Sequence, residues 1–114
     1  DREPFEMSDK PDLVIRGGEN IGCAEVEAGL LAHPQILEAS VYAVPDERLG
    51  EEVGATIYVE QLLDETELRG FLAEHIAKFK IPRFVEQTQT PLPRIASGKI
   101  DKRKIREAAV VSFG

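Results

Sequence analysis

The sequence holds one cysteine, two histidines and no apolar run approaching the ~18 residues of a membrane span. Each shortage excludes something. The lone Cys23 can form no internal disulfide and fits a reducing compartment, so a cytoplasmic setting is expected. No membrane-spanning helix is expected. His33 and His75 neighbour no set of His, Cys, Asp or Glu at ligand spacing, so no metal site is expected. They read as structural histidines, His75 on the apolar stripe of a helix. No Ser–His–Asp set can be argued from such scattered residues. Positive charge is also short. Fourteen Lys and Arg face 21 Asp and Glu, for a formal net charge of −7, which argues against general nucleic-acid binding. The opening "DREPFEMSDK" is charged throughout, so no signal peptide is expected. The chain starts on Asp rather than Met, which suggests a processed chain or a piece of a longer one.

What is present suits one small domain: 114 residues, 42% of them hydrophobic. Phe5–Ser8 and Leu13–Arg16 read as short extended pieces joined by the turn "DKPD", and "GGEN" (17–20) as a glycine turn. Cys23 to Ala32 reads as a helix with Val26 and Leu30 on one stripe, ended by Pro34. "EASVYAV" (38–44) and "VGATIYV" (53–59) alternate as strands around a polar loop, "PDERLGEE". Asp64 and Glu67 form a capping box for a second helix, with Leu68, Phe71, Leu72, His75 and Ile76 at helical spacing. "RFVEQ" (83–87) reads as a short strand. Asp101 reads as the N-cap of a last helix, 102–109, with Ile105, Ala108 and Ala109 inward. The predicted fold is α+β: a short, mostly antiparallel central sheet flanked by about three helices and preceded by a two-stranded hairpin.

Two stretches could carry chemistry. The scarce positive charge collects in "PRIASGKIDKRKI" (93–105) and the residue that follows, where Arg94, Lys99, Lys102, Arg103, Lys104 and Arg106 have Asp101 as the only acid among them. It is no phosphate-binding P-loop, since Pro93 and Ile100 stand where that motif needs Gly and Ser or Thr. Lys99 follows Ser97-Gly98, expected to be flexible, and is followed by a capped helix. It can thus reach into a pocket outside its own domain. Lys102, Arg103, Lys104 and Arg106 read as solvated helix charge. In "GGENIGCAEVE" the paired glycines leave room for a ligand chain to pass close to the backbone. Cys23 begins a helix, a place that can lower a thiol pKa, but with no base placed beside it the expected reading is a buried structural thiol.

"DLVIRGGENIGCAEVE" resembles the A8 core motif of the acyl-adenylating enzymes, which include acyl-coenzyme A synthetases, peptide-synthetase adenylation domains and luciferases. "PDERLGEEVGATI" resembles the strand–loop–strand that follows, "AKFKIPRFV" the A9 segment and "PRIASGKIDKRKI" the A10 motif. The resemblance implies the small C-terminal domain of an AMP-forming enzyme, most like an acyl-coenzyme A synthetase. Residues 1–12 would be the end of an interdomain segment and hinge, and 13–114 the mobile domain, with Asp12 matching the hinge aspartate. It implies ATP, Mg2+ and coenzyme A as cofactors, a carboxylic acid substrate, and a large N-terminal adenylate-forming domain as partner, carrying the Mg2+ site and most ATP contacts. Lys99 matches the lysine of the adenylation step. Gly17, Gly18, Glu19 and Asn20 match the loop that lines the pantetheine tunnel in the thioester step. In some relatives the matching lysine sits in a pattern read by acetyltransferases, so acetylation of Lys99 is expected. The isolated domain is expected to be inactive. The sequence departs from the family where an Arg often holds the ribose (Asp9 or, with a one-residue gap, Lys10) and where Tyr-Pro follows the A8 loop (Gly22-Cys23). The alternatives are a free-standing binding or regulatory module that uses its basic loop, and a peptide-synthetase adenylation domain.

Overall fold

The computed structural model describes residues 12–113. The expected strand Phe5–Ser8, most of the turn after it, and the Asp9 or Lys10 position lie outside the described residues. Leu13–Arg16 (β1) and Glu19–Gly22 (β2) form the opening hairpin, Leu13 facing Gly22 and Arg16 facing Glu19. Gly17 and Gly18 turn the chain at φ 55° and 88°, a left-handed pair that residues with a Cβ adopt reluctantly. The hairpin partner of β1 among the described residues is β2, inside the stretch read as a turn and helix lead-in. "ENIG" is too short and polar to show an alternation.

Cys23–Leu31 (α1) follows directly, with the Cys23 N–H donating to the Asp12 carbonyl at 2.7 Å. Ile36–Asp46 (β3) and Gly50–Val59 (β4) pair antiparallel with Tyr42 opposite Gly54. Phe84–Thr88 (β5) runs parallel to β4, the one parallel pairing among the described residues, in a sheet ordered β2-β1-β4-β3 with β5 alongside β4. The expected polar loop 45–52 shrinks to the few residues between Asp46 and Gly50, because both strands continue. Glu51 and Glu52 are buried in β4. They are tolerated there because Glu51 Oε1 accepts the Ile15 N–H at 2.7 Å and Glu52 Oε1 meets Arg16 Nε at 2.5 Å.

Glu65–Ala73 (α2) is capped by Asp64, whose carboxylate accepts the Glu67 N–H at 2.9 Å. The helix ends before His75 and Ile76. A tight turn, His75 N–H and Ile76 N–H both to the Leu72 carbonyl, brings Ile76 back to the core. A single 3-10 turn, Lys78–Lys80, precedes β5. Lys102–Phe113 (α3) begins after Asp101, whose Oδ1 accepts the Lys104 N–H at 3.1 Å, and runs past the predicted end at 109.

The strand alternation fills two cores. Val41, Ala43, Val53, Ala55 and Ile57 pack against α1 and α2 through Val26, Leu30, Leu68 and Leu72. Tyr42 and Val44 point the other way and pack with Leu92, and with Ile105 and Ala109 of α3. Ala108, expected inward, is exposed, since the inward stripe of α3 runs through positions four apart. At the outer side of β3, the Val41 N–H is taken by Glu27 Oε2 (2.9 Å) and the Ala43 carbonyl by Arg106 Nε (2.8 Å).

Candidate functional site

Lys99 sits on a small closed turn, exposed to solvent. The Asp101 N–H donates to the Pro93 carbonyl at 2.8 Å and Ile95 N–H to the Lys99 carbonyl at 2.9 Å, so the chain doubles back on itself. Gly98 closes the turn at φ 93°, with its N–H on the Ile95 carbonyl at 2.9 Å. The Ser97-Gly98 pair expected to be flexible is thus held by backbone hydrogen bonds, and the freedom that remains belongs to the lysine side chain. Arg94 braces the turn, donating from Nη1 to the Gly98 carbonyl (2.8 Å) and from Nη2 to Glu38 Oε2.

The glycine turn lies elsewhere. Gly17, Gly18, Glu19 and Asn20 are all exposed, and the Gly17 N–H donates to the Leu49 carbonyl at 2.9 Å. Arg16 pairs with Gly50, at the turn end of the β3–β4 ribbon. The Lys99 turn is tied to Glu38, which faces Tyr58 near the open end of the same ribbon. Asp46 lies eight residue steps along β3 from Glu38, so at ~3.3 Å per step the two anchor points are roughly 25 Å apart. Asp12, exposed, holds the far end of the hairpin through its carbonyl bond to Cys23.

The remaining basic residues divide. Lys104 is exposed and Arg103 pairs only with Glu107 along the helix, at 3.3 Å, as solvated charge does. Lys102 and Arg106 differ from the expectation. Lys102 Nζ lies 2.9 Å from Glu27 Oε2, both side chains about three-quarters covered, and Arg106 is partly buried, donating to Ala43 as described. Burial lowers the Arg106 pKa, while the Glu51 charge opposes that fall. These two cations fasten α3 to the body of the domain. Sequence reasoning missed them because Glu27 and Ala43 lie far upstream.

Cys23 is buried, and burial pushes its thiol up to about 11, the Lys102 charge pulling weakly the other way. The structural reading of Cys23 holds, and the thiol pKa is raised rather than lowered at the helix start. His33 is buried, its Nδ1 accepting the Gln35 N–H at 3.1 Å. His75 is exposed, stacked on Phe71 with Nδ1 2.9 Å from the Phe71 carbonyl. Among the described residues no group of three or more His, Cys, Asp or Glu could hold a metal ion, and no helix is long and apolar enough to cross a membrane.

A family model described as the AMP-binding enzyme C-terminal domain matches residues 25–99, and the chain belongs to that family. Among curated relatives it is 45% identical over 105 residues to the mitochondrial medium-chain acyl-CoA ligase ACSF2 of Danio rerio, covering 90% of this chain and 17% of the relative. It is 42% identical over 104 residues to the putative acyl-CoA synthetase YngI of Bacillus subtilis, covering 90% of this chain and 19% of that protein. Among solved structures, the Mycobacterium tuberculosis fatty acyl CoA synthetase superposes with a TM-score of 0.81 at 31% identity, over 89% of this chain and 20% of that one. Apo MatB from Rhodopseudomonas palustris gives 0.82 at 34% identity, over 90% and 21%. The chain thus spans about a fifth of the length of the proteins it resembles.

Proposed function

We propose that the chain is the C-terminal, mobile domain of an AMP-forming acyl-CoA ligase, with residues 1–12 leading into it and Asp12 at the hinge. A large N-terminal domain would carry the acid pocket, the Mg2+ site and most contacts to ATP. In the first half-reaction a carboxylate attacks the α-phosphate of ATP, giving an acyl-adenylate and pyrophosphate; in the second, coenzyme A gives the thioester and releases AMP. Lys99 serves the first step. Negative charge builds where carboxylate and phosphate meet, and a compact ammonium on a long stem stabilises it more than it does the separated reactants. At ~4 Å and an effective dielectric of ~20 the contact is worth on the order of 4 kcal/mol before desolvation. Gly17, Gly18, Glu19 and Asn20 serve the second step, where a turn without side chains at Gly17 and Gly18 lets a pantetheine arm pass against the backbone.

One observation carries the reading: the two exposed turns are tied to opposite ends of one β-ribbon, at strand positions roughly 25 Å apart. Both cannot face one active site in a single pose. A domain that rotates about its hinge can present each in turn. The names of the relatives, acyl-CoA ligases and synthetases, support the same chemistry.

The test is Lys99→Ala in the full-length enzyme. Acyl-adenylate formation should fall by about 10²–10³-fold, the scale set by loss of one preorganised donor. Thioester formation from supplied acyl-adenylate should survive. Equal loss in both half-reactions would refute the role. Acetylation of Lys99 erases the same charge, so enzyme acetylated there should show the same split.

A further inference from the structure

We infer that Arg94 and Glu38 are positioning residues for Lys99, an inference that rests on the adenylation role assigned above. A lysine side chain has several rotatable bonds, so the fold can fix only where its backbone starts. That starting point is set by a chain of contacts from the sheet. Glu38 lies on β3, mostly covered, its side chain 17% exposed. Its Oε1 accepts the Leu92 N–H at 2.9 Å and its Oε2 accepts from Arg94 Nη2. The other arm of the same guanidinium, Nη1, donates to the Gly98 carbonyl at 2.8 Å. That carbonyl belongs to the peptide unit that carries the Lys99 nitrogen. One strand carboxylate therefore locates both the approach to the turn and the peptide at its tip.

The planar fork of arginine is what lets a single side chain span the two acceptors; an ammonium could not hold both in fixed geometry. The brace is separate from the fastening of α3, which depends on Asp101, Lys102 and Arg106. Its loss should therefore leave the domain folded and the turn displaced. Misplacing a reacting group by about 1 Å costs up to ~10²-fold in rate.

The experiment uses the full-length enzyme with Arg94→Met and, separately, Glu38→Gln, whose amide oxygen keeps an acceptor for Leu92 while its NH2 group faces Arg94 donor to donor, so that both the charge and the acceptor for the guanidinium are lost. In both, kcat for acyl-adenylate formation should fall about 10–100-fold, with KM for acid and ATP and the thioester half-reaction held within about two-fold. In a Lys99→Ala background, Arg94→Met should add no further loss, because its effect runs through the lysine. Unchanged adenylation in either variant, equal loss in both half-reactions, or an additional loss on top of Lys99→Ala would each overturn the inference. Lys99→Ala alone separates the two levels. If it leaves adenylation intact, the underlying reading fails; if it abolishes adenylation while Arg94→Met does not reduce it, only the brace fails.

Discussion

Adding a single methyl group at Gly54 should cost more stability than its size suggests. Gly54 lies in β4 directly opposite Tyr42. A Cβ there would stand 2.7 Å from Tyr42 Cε1 and 2.7 Å from Val44 Cγ2. Neither neighbour can yield easily. Both are buried under α3, and the Tyr42 hydroxyl is held to Thr56 Oγ1 at 2.7 Å. Forcing a methyl into a packed site costs about 1–3 kcal/mol. Shifting the ring also threatens a buried hydrogen bond worth about 1 kcal/mol. Ala regains about 0.5–1 kcal/mol over Gly through the unfolded chain. The net for Gly54→Ala is a loss of about 1–3 kcal/mol, or about 5–20 °C in melting temperature for a domain of this size. Gly70 supplies the control. It is exposed in α2 with nothing within 4 Å of a built Cβ, so Gly70→Ala should stabilise by about 0.5–1 kcal/mol. Thermal and denaturant unfolding followed by circular dichroism would measure both. Two shifts of the same sign, or a Gly54→Ala variant as stable as the parent, would refute the packing of Tyr42 over β4.

Two further outcomes follow from buried groups. Burial raises the Cys23 thiol to about 11 and the Tyr42 phenol to about 12, each from a lower unfolded value, so their contribution to stability is full below about pH 9 and is lost as pH climbs through 9 to 12. Alkylation of Cys23 at pH 8 should accordingly be slow in the folded chain and fast in denaturant. Among the ion pairs, Arg16→Met strands the carboxylate of Glu52, 2% exposed, and should cost about 3 kcal/mol or more. Arg103→Ala breaks a pair that is 87% and 63% exposed and should move stability by about 0.5 kcal/mol or less. Equal losses in equilibrium unfolding would sink that distinction.

Local signals in the sequence proved reliable where the physics is local. The Asp64 and Asp101 caps, the left-handed Gly17-Gly18 turn and the alternation of 38–44 and 53–59 all depend on residues within a few positions of one another, and all appear in the structure. Distant partners were invisible. Glu51 and Glu52 read as loop because nothing nearby shows that the Ile15 N–H donates to the first and the Arg16 guanidinium pairs with the second. Lys102 and Arg106 read as solvated for the same reason. Helical spacing extended α2 to Ile76, although a turn serves as well to return that side chain to the core. At the candidate site, "PRIASGK" marked Lys99 by motif, while the Glu38–Arg94 brace needs the 56-residue separation between its members to be closed by folding.

The outer side of β3 has a bearing on the company the domain can keep. A strand at the rim of a sheet offers unused N–H and C=O groups to any other extended chain, and so invites polymers. Here the Val41 donor is already taken by a carboxylate from α1 and the Ala43 acceptor by a guanidinium from α3, while Pro45 further along has no N–H to offer. The side chains that fasten the helices also insulate the rim, so this edge gives a stray strand little to zip onto.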